Sequence, residues 1–267
     1  MNLELKGICK TFGNEEKGRI LPVLEDIHYT VGEGRFVSIV GLSGCGKTTL
    51  LRIIAGLEKA TKGEILFGGN KIDYGKNLIG LVFQEYALFP WRTTIQNIQI
   101  GLEILGMPKK ERLSAAMEYV NAFGLSGFEN SYPHELSGGM QQRVAIARTL
   151  IVKPRLVLMD EPFGSLDSLT RNELQEFLLQ LWEKRRESII FVTHNVDEAV
   201  FLSDEIVVLS KRPARIAKLF KVDAPRPRDP TSQESNAIKR VVLQELAEQK
   251  MHQGRTSPQD NFQTTQS

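Results

Sequence analysis

Phe36-Val37-Ser38-Ile39-Val40-Gly41-Leu42-Ser43-Gly44-Cys45-Gly46-Lys47-Thr48 joins a short apolar run to a glycine-rich turn, and Thr49-Leu50-Leu51-Arg52-Ile53-Ile54-Ala55 continues it as a segment able to form a helix. Gly41 to Thr48 fits the GxxxxGK[ST] phosphate loop, and a strand before it with a helix after it is the context that motif requires. Glycines lack a Cβ, so backbone N–H groups can converge on phosphate oxygens at a helix N-terminus. Gly41, Ser43, Gly44, Cys45, Gly46 and Thr49 then form or flank the cradle. Lys47 reaches the β- and γ-phosphates, and the Thr48 hydroxyl holds Mg²⁺. This one stretch predicts an α/β fold of the P-loop NTPase kind.

A triphosphate site of this kind needs a carboxylate for Mg²⁺ at the end of another buried strand. Leu156-Val157-Leu158-Met159-Asp160-Glu161 supplies it. Open α/β sheets place ligands at the carboxyl ends of their strands. Adjacent strand residues point to opposite sides, so Asp160 and Glu161 take different roles. Asp160 is assigned to the metal and Glu161 to polarising the attacking water. Two further apolar runs end in polar residues: Ile79 to Phe83 before Gln84, and Ser188 to Thr193 before His194. Gln84 is expected at the metal or the water, and His194 at the γ-phosphate. Asn195 with Glu198 also reads as a capping box for the helix that follows.

Glycine is used a second time in Leu136-Ser137-Gly138-Gly139-Met140. Ser137 is a good N-cap for a helix through Gln141 to Arg148. Met140, Val144, Ala147 and Ile151 give that helix an apolar stripe. Gly138 and Gly139 disfavour the helix start by about 1 kcal/mol each relative to Ala. That penalty is intelligible where a phosphate approaches the backbone; the plainer alternative is an ordinary capped helix. One nucleotide needs one phosphate loop, so a second turn of this type implies a triphosphate gripped from two sides.

The order phosphate loop, Gln84, Leu-Ser-Gly-Gly, Leu-Val-Leu-Met-Asp-Glu, Ser165-Leu166-Asp167 and His194 closely resembles the ATP-binding-cassette (ABC) ATPases over roughly residues 1–220. The resemblance implies a RecA-like core with an N-terminal antiparallel β subdomain and an inserted α-helical subdomain. It also implies that two cassettes, expected to be identical copies, pair head to tail around two ATP molecules with Mg²⁺. Ser137, Gly138 and Gly139 would then face the triphosphate on the partner's Lys47. Asp167 matches the loop crossing between cassettes, and Phe12 the aromatic residue that stacks on adenine. Met140 stands where Gln is commonest and Gly164 where Ser often occurs; neither removes a catalytic group. Asn14 to Leu21 looks like a small insertion.

The chain has 267 residues, enough for one large α/β domain and a smaller one. Its net charge is +2, from 34 Lys+Arg against 32 Asp+Glu, which gives no argument for a nucleic-acid groove. Cys9 and Cys45 make neither a disulfide framework nor a metal set. Cys45 reads as a small filler with some redox vulnerability. The N-terminus lacks signal-peptide character, and no apolar run approaches the roughly 20 residues that span a bilayer. The cassette is expected over 1–221, with core segments 1–88 and 154–221 and the helical subdomain at 89–153. Leu174, Phe177, Leu178, Leu181 and Trp182 predict a helix face packed on the sheet, and Ile206 to Leu209 a closing strand. A proline-rich linker from Asp223 to Pro230, a short amphipathic helix around Ile238 to Leu246 and a disordered tail complete 222–267.

Leu88-Phe89-Pro90-Trp91 reads either as surface awaiting a partner or as internal packing of the helical subdomain. With Glu161-Pro162-Phe163-Gly164, Asp197 to Leu202 and Arg212 to Ile216, it resembles the nitrate/sulfonate/taurine importer group. That implies an ATP-hydrolysing subunit lying peripherally at the cytoplasmic face of the inner membrane. Its partners would be two transmembrane permease subunits and, indirectly, an extracytoplasmic substrate-binding protein. Small anions are the expected cargo, with pyrimidine-type vitamin precursors as an alternative. A soluble ABC-type ATPase acting on nucleic acid or ribosomes is the other class; its tandem cassettes, coiled-coil inserts and basic linkers are not found here. A non-catalytic cassette is disfavoured by Lys47, Glu161 and His194.

Overall fold

The computed structural model describes residues 1–13, 20–74 and 79–254. Along the chain run β1 (Leu3–Phe12), β2 (Leu21–Val31), β3 (Phe36–Val40), α1 (Lys47–Ile54), β4 (Lys62–Phe67), β5 (Asn70–Lys71) and β6 (Ile79–Val82). Three helices follow, α2 (Thr94–Ile104), α3 (Lys109–Ala122) and α4 (Gly138–Leu150). The chain then returns to β7 (Leu156–Asp160), α5 (Ser168–Arg185), β8 (Ser188–Val192), α6 (Val196–Leu202), β9 (Glu205–Leu209), β10 (Ile216–Lys221) and α7 (Gln233–Gly254).

Three five-residue strands, β3, β7 and β8, are buried at every position. Strands covered on both faces read as continuous apolar runs, and such strands pair in parallel. They form the centre of a six-stranded sheet of order β10-β9-β3-β8-β7-β6, parallel throughout except for β10, which runs antiparallel to β9. A separate antiparallel sheet has the order β2-β1-β4-β5. Ile206 to Leu209 is the buried part of β9, and β10 adds a mostly exposed antiparallel edge beyond it.

One apolar cluster joins the sheet face to α2 through α5, with Ile98, Phe123, Val144, Leu174 and Trp182 all buried. Leu174, Leu178 and Trp182 supply the buried part of the α5 stripe, and Phe177 and Leu181 flank it. Trp182 meets Phe36 edge-on at 5.8 Å between ring centroids and donates its indole N–H to the Glu187 carbonyl at 2.9 Å. A second cluster fills the space between the two sheets, with Leu5, Ile27, Leu50 and Ile190. A third lies under α6 and α7, where Ile238 and Leu246 flank the fully buried Val242.

The 22-residue α7 is longer than the short amphipathic face expected there. The prolines before it carry a buried anchor. Arg228 donates to the carbonyls of Val200, Phe201, Ser203, Val222 and Ala224 at 2.7–3.1 Å. Most of Asn14 to Leu21 and the tail after Gly254 lie outside the described residues.

Candidate nucleotide site

Because β3, β6, β7 and β8 are parallel, the segments that follow them emerge at one sheet edge. That topology brings Gly41–Thr48, Gln84, Asp160–Glu161 and Thr193–His194 together from four separate stretches of sequence. A cleft of about 430 Å³ at this edge is lined by Phe12, Ser43, Gly44, Gly46, Lys47, Thr48, Thr49, Gln84 and Glu161.

The loop is closed by its own lysine. Lys47 is only 6% exposed, and its Nζ donates to the Gly41 and Leu42 carbonyls at 3.0 and 3.1 Å. Gly46 occupies φ +125°, and a Cβ there would sit 2.9 Å from Leu24 Cδ2. No side chain caps the start of α1, so its first N–H groups are left for an anion. Cys45 is buried against Gly41, and burial pushes its thiol up from the usual range. A protonated buried thiol is a poor nucleophile, which argues against the expected redox vulnerability.

Thr48 Oγ1 donates to Asp160 Oδ1 at 3.1 Å, and burial raises the Asp160 carboxyl while that bond opposes the rise. A hydroxyl beside a carboxylate is the oxygen donor set that Mg²⁺ takes together with phosphate oxygens and water. One residue on, the chain leaves the strand: Glu161 adopts φ +44° and its N–H donates to the Val192 carbonyl at 2.9 Å. Its carboxylate Oε2 lies 2.9 Å from His194 Nδ1. The His194 side chain is 63% exposed and the Glu161 side chain 20%.

Ser137, Gly138, Gly139 and Asp167 do not line this cleft. Ser137 is exposed and caps α4 by accepting from the Met140 N–H at 3.3 Å. The glycines have neighbours in their own chain: a Cβ on Gly138 would lie 2.9 Å from the Tyr86 hydroxyl, and one on Gly139 2.5 Å from Thr170 Cγ2. Asp167 caps α5, accepting from the Leu169 and Thr170 N–H groups and the Thr170 hydroxyl, and the Thr170 bonds hold its carboxyl below the usual range.

The expected capping box at Asn195 does not form. Asn195 Oδ1 accepts from Asp197 N, but the Asn195 N–H goes to Thr193 Oγ1, and Glu198 turns inward to the same threonine. Arg212 lines the cleft beside Phe12 without having been singled out for it. The sequence offers it only within Arg212 to Ile216, as part of the resemblance to the importer group, and that gives no hint of which cleft the segment reaches. A larger cleft of about 890 Å³ lies between α5, α6 and the segment around Arg228, but it contains none of the phosphate-loop residues.

The ABC transporter family matches residues 24–164. The chain belongs to that family. It is 44% identical over 246 residues to the aliphatic sulfonates import ATP-binding protein SsuB of Bacillus cereus, covering 92% of this chain and 96% of the relative. It is 42% identical over 240 residues to the nitrate import ATP-binding protein NrtD of Synechocystis sp., covering 90% of each. Among solved structures, an ATP-binding cassette in a dimeric post-hydrolysis state with ADP and Pi matches with TM-score 0.74 and 34% identity, over 84% of this chain and all of that one. The cassette is an ATPase with the P-loop NTPase fold, and ATP with Mg²⁺ is what its site accepts. Among the described residues no helix is long and apolar enough to cross a membrane.

Proposed function

We propose that this cassette is the ATP-hydrolysing subunit of an importer. It works as one of two identical copies beneath two membrane permeases, peripherally at the cytoplasmic face, and drives uptake of a small anion. The names of the sulfonate and nitrate relatives support this reading. Near-equal identity to two importers with different cargoes indicates that cargo choice lies in other subunits, a substrate-binding protein among them. Trp91, 70% exposed beside Phe89, marks the surface offered to a permease.

One observation carries the paired arrangement. The cleft holding Lys47, Thr48 and Glu161 lacks the Ser137–Gly139 turn, whose Ser137 is exposed outside it while Gly138 is half-buried and Gly139 buried. In the proposed pair the partner's turn completes the site, and Asp167 lies in the loop between copies. The core comprises 1–88 and 154–221, the helical subdomain 89–153, and the extension 222–267.

Lys47 and the loop N–H groups bind the phosphates, while Phe12 flanks the adenine. Mg²⁺, held by Thr48, Asp160 and Gln84, would offset phosphate charge. Glu161 takes the proton of the attacking water onto its carboxylate. A γ-phosphate oxygen only accepts, so His194 would serve it through Nε2–H, with both ring nitrogens protonated while Nδ1–H faces Glu161. Glu161→Gln is expected to keep ATP binding and to lower turnover by about 10²–10⁴, the general-base range. Steady-state hydrolysis near the parent rate in that variant would overturn the assignment.

A further inference from the structure

We propose that Glu198, with Arg171, is a positioning residue that holds His194 against Glu161. The inference rests on the catalytic reading of that pair. Glu198 is 5% exposed on α6, where a carboxylate is costly to bury unless its oxygens are engaged. Oε2 accepts from Thr193 Oγ1 at 2.6 Å, and Oε1 lies 3.8 Å from Arg171 Nε. Thr193 is itself buried, and its Oγ1 also accepts the Asn195 N–H at 3.0 Å, so the backbone on both sides of His194 is tied to one hydroxyl.

Arg171 makes the link to the other strand end. Its Nη2 donates to the Leu166 carbonyl at 2.7 Å. Leu166 closes the turn that begins at Glu161, through Gly164 N–H to the Glu161 carbonyl at 3.1 Å and Leu166 N–H to the Phe163 carbonyl at 3.2 Å. Besides the Glu161 N–H bond to the Val192 carbonyl, the turn after β7 and the turn after β8 are joined by Glu161 to His194 and, underneath, by a chain of Leu166, Arg171, Glu198 and Thr193. The Arg171–Glu198 step of that chain is an ion pair at 3.8 Å without a hydrogen bond. The His194 side chain is 63% exposed, so its placement depends on its backbone, which the lower link holds together with the Thr193 N–H bond to the Ile39 carbonyl at 3.2 Å. Glu198 passes up an ordinary exposed capping bond to Asn195 for this buried one.

The test is single-turnover ATP hydrolysis by the full chain carrying Glu198→Gln, Thr193→Val or Thr193→Ser, each in the parent and in a His194→Ala background. Small displacements of catalytic groups lower rates by up to about 10²-fold. Glu198→Gln and Thr193→Val are expected to lower turnover about tenfold or more within that range, with KM for ATP little changed. Thr193→Ser, which keeps the hydroxyl, should stay near the parent. In the His194→Ala background the further loss should fall within about twofold, because the positioned group is gone. Equal losses in both backgrounds, or Thr193→Val behaving as Thr193→Ser, would overturn the proposal, and Thr193→Val answers the question even if Glu198→Gln does not fold. If His194→Ala and Glu161→Gln themselves leave hydrolysis intact, the catalytic reading fails and takes this inference with it. If they lower it to a rate still measurable and the Glu198 losses are additive, only the inference fails.

Discussion

Glu161 occupies a left-handed backbone conformation that L-residues with side chains rarely adopt. Such strain amounts to about 1–3 kcal/mol and persists only where the surroundings over-determine it. Here the Val192 carbonyl fixes the amide and His194 fixes the carboxylate. Glycine raises a related question at Gly139, because helix propensity alone would favour alanine there by about 1 kcal/mol. The phosphate-approach reading explains the glycine through a ligand. The structure adds a reason within the chain, since a Cβ would stand 2.5 Å from Thr170 Cγ2. Thr170 is not free to yield, because its hydroxyl is bonded to Asp167 at 2.7 Å. Overpacking costs about 1–3 kcal/mol, so it outweighs or cancels the propensity gain. Gly139→Ala should destabilise the chain by up to about 2 kcal/mol in chemical denaturation. Adding Thr170→Ser, which removes Cγ2 and keeps the Asp167 bond, should restore most of that loss. An alanine variant more stable than the parent would show that Gly139 is kept for the ligand alone.

At the scale of elements, the strands that the sequence announces are the ones covered on both faces. β3, β7 and β8 combine apolar runs with motif residues at their ends, and all were read within a residue or two. β4 and β10 were not, because most of their residues are exposed or half-exposed: β10 is an edge strand, and β4, between β1 and β5, carries only the three apolar residues Ile65 to Phe67. The capping box failed for a different reason: the Asn195–Glu198 spacing was present, but a buried threonine competed for the carboxylate. The extension hid its anchor in the same way. Arg228 sits among prolines and reads as linker, yet it is 5% exposed with carbonyls on every side. Burial lowers its guanidinium to about 10, still far above neutrality, so it stays a cation. Arg228→Met should therefore strand several carbonyls at the end of α6. A hydrogen bond to a charged donor contributes about 1.5–3 kcal/mol, and losing even one should lower Tm by roughly 3–10 °C in a domain of this size. An unchanged melting temperature by circular dichroism would mean that α7 and its linker stabilise nothing.

For the whole molecule, the motif residues fall into two sets. One lines the cleft and the other stands outside it, a division legible in the sequence as two glycine-rich turns where one would hold a nucleotide. Pairing itself was not legible from spacing; it entered through resemblance, and the dimeric ADP-bound relative supports it. Ser137 allows a test that separates helix capping from contact with a partner's nucleotide. Aspartate is as good an N-cap as serine and also suits the positive end of the helix, so Ser137→Asp should fold as well as the parent. In a pair, however, its carboxylate would face the partner's γ-phosphate. Two like charges about 4 Å apart repel by about 4 kcal/mol at an effective dielectric constant near 20, which corresponds to roughly 10³-fold weaker association. Ser137→Asn keeps the cap without the charge and should pair within about tenfold of the parent, the loss of a single neutral hydrogen bond. Sedimentation across a protein concentration series, with ATP and in a Glu161→Gln background, reads the difference directly. If the aspartate variant associates as tightly as the asparagine one, no triphosphate approaches Ser137, and the two-sided grip is wrong.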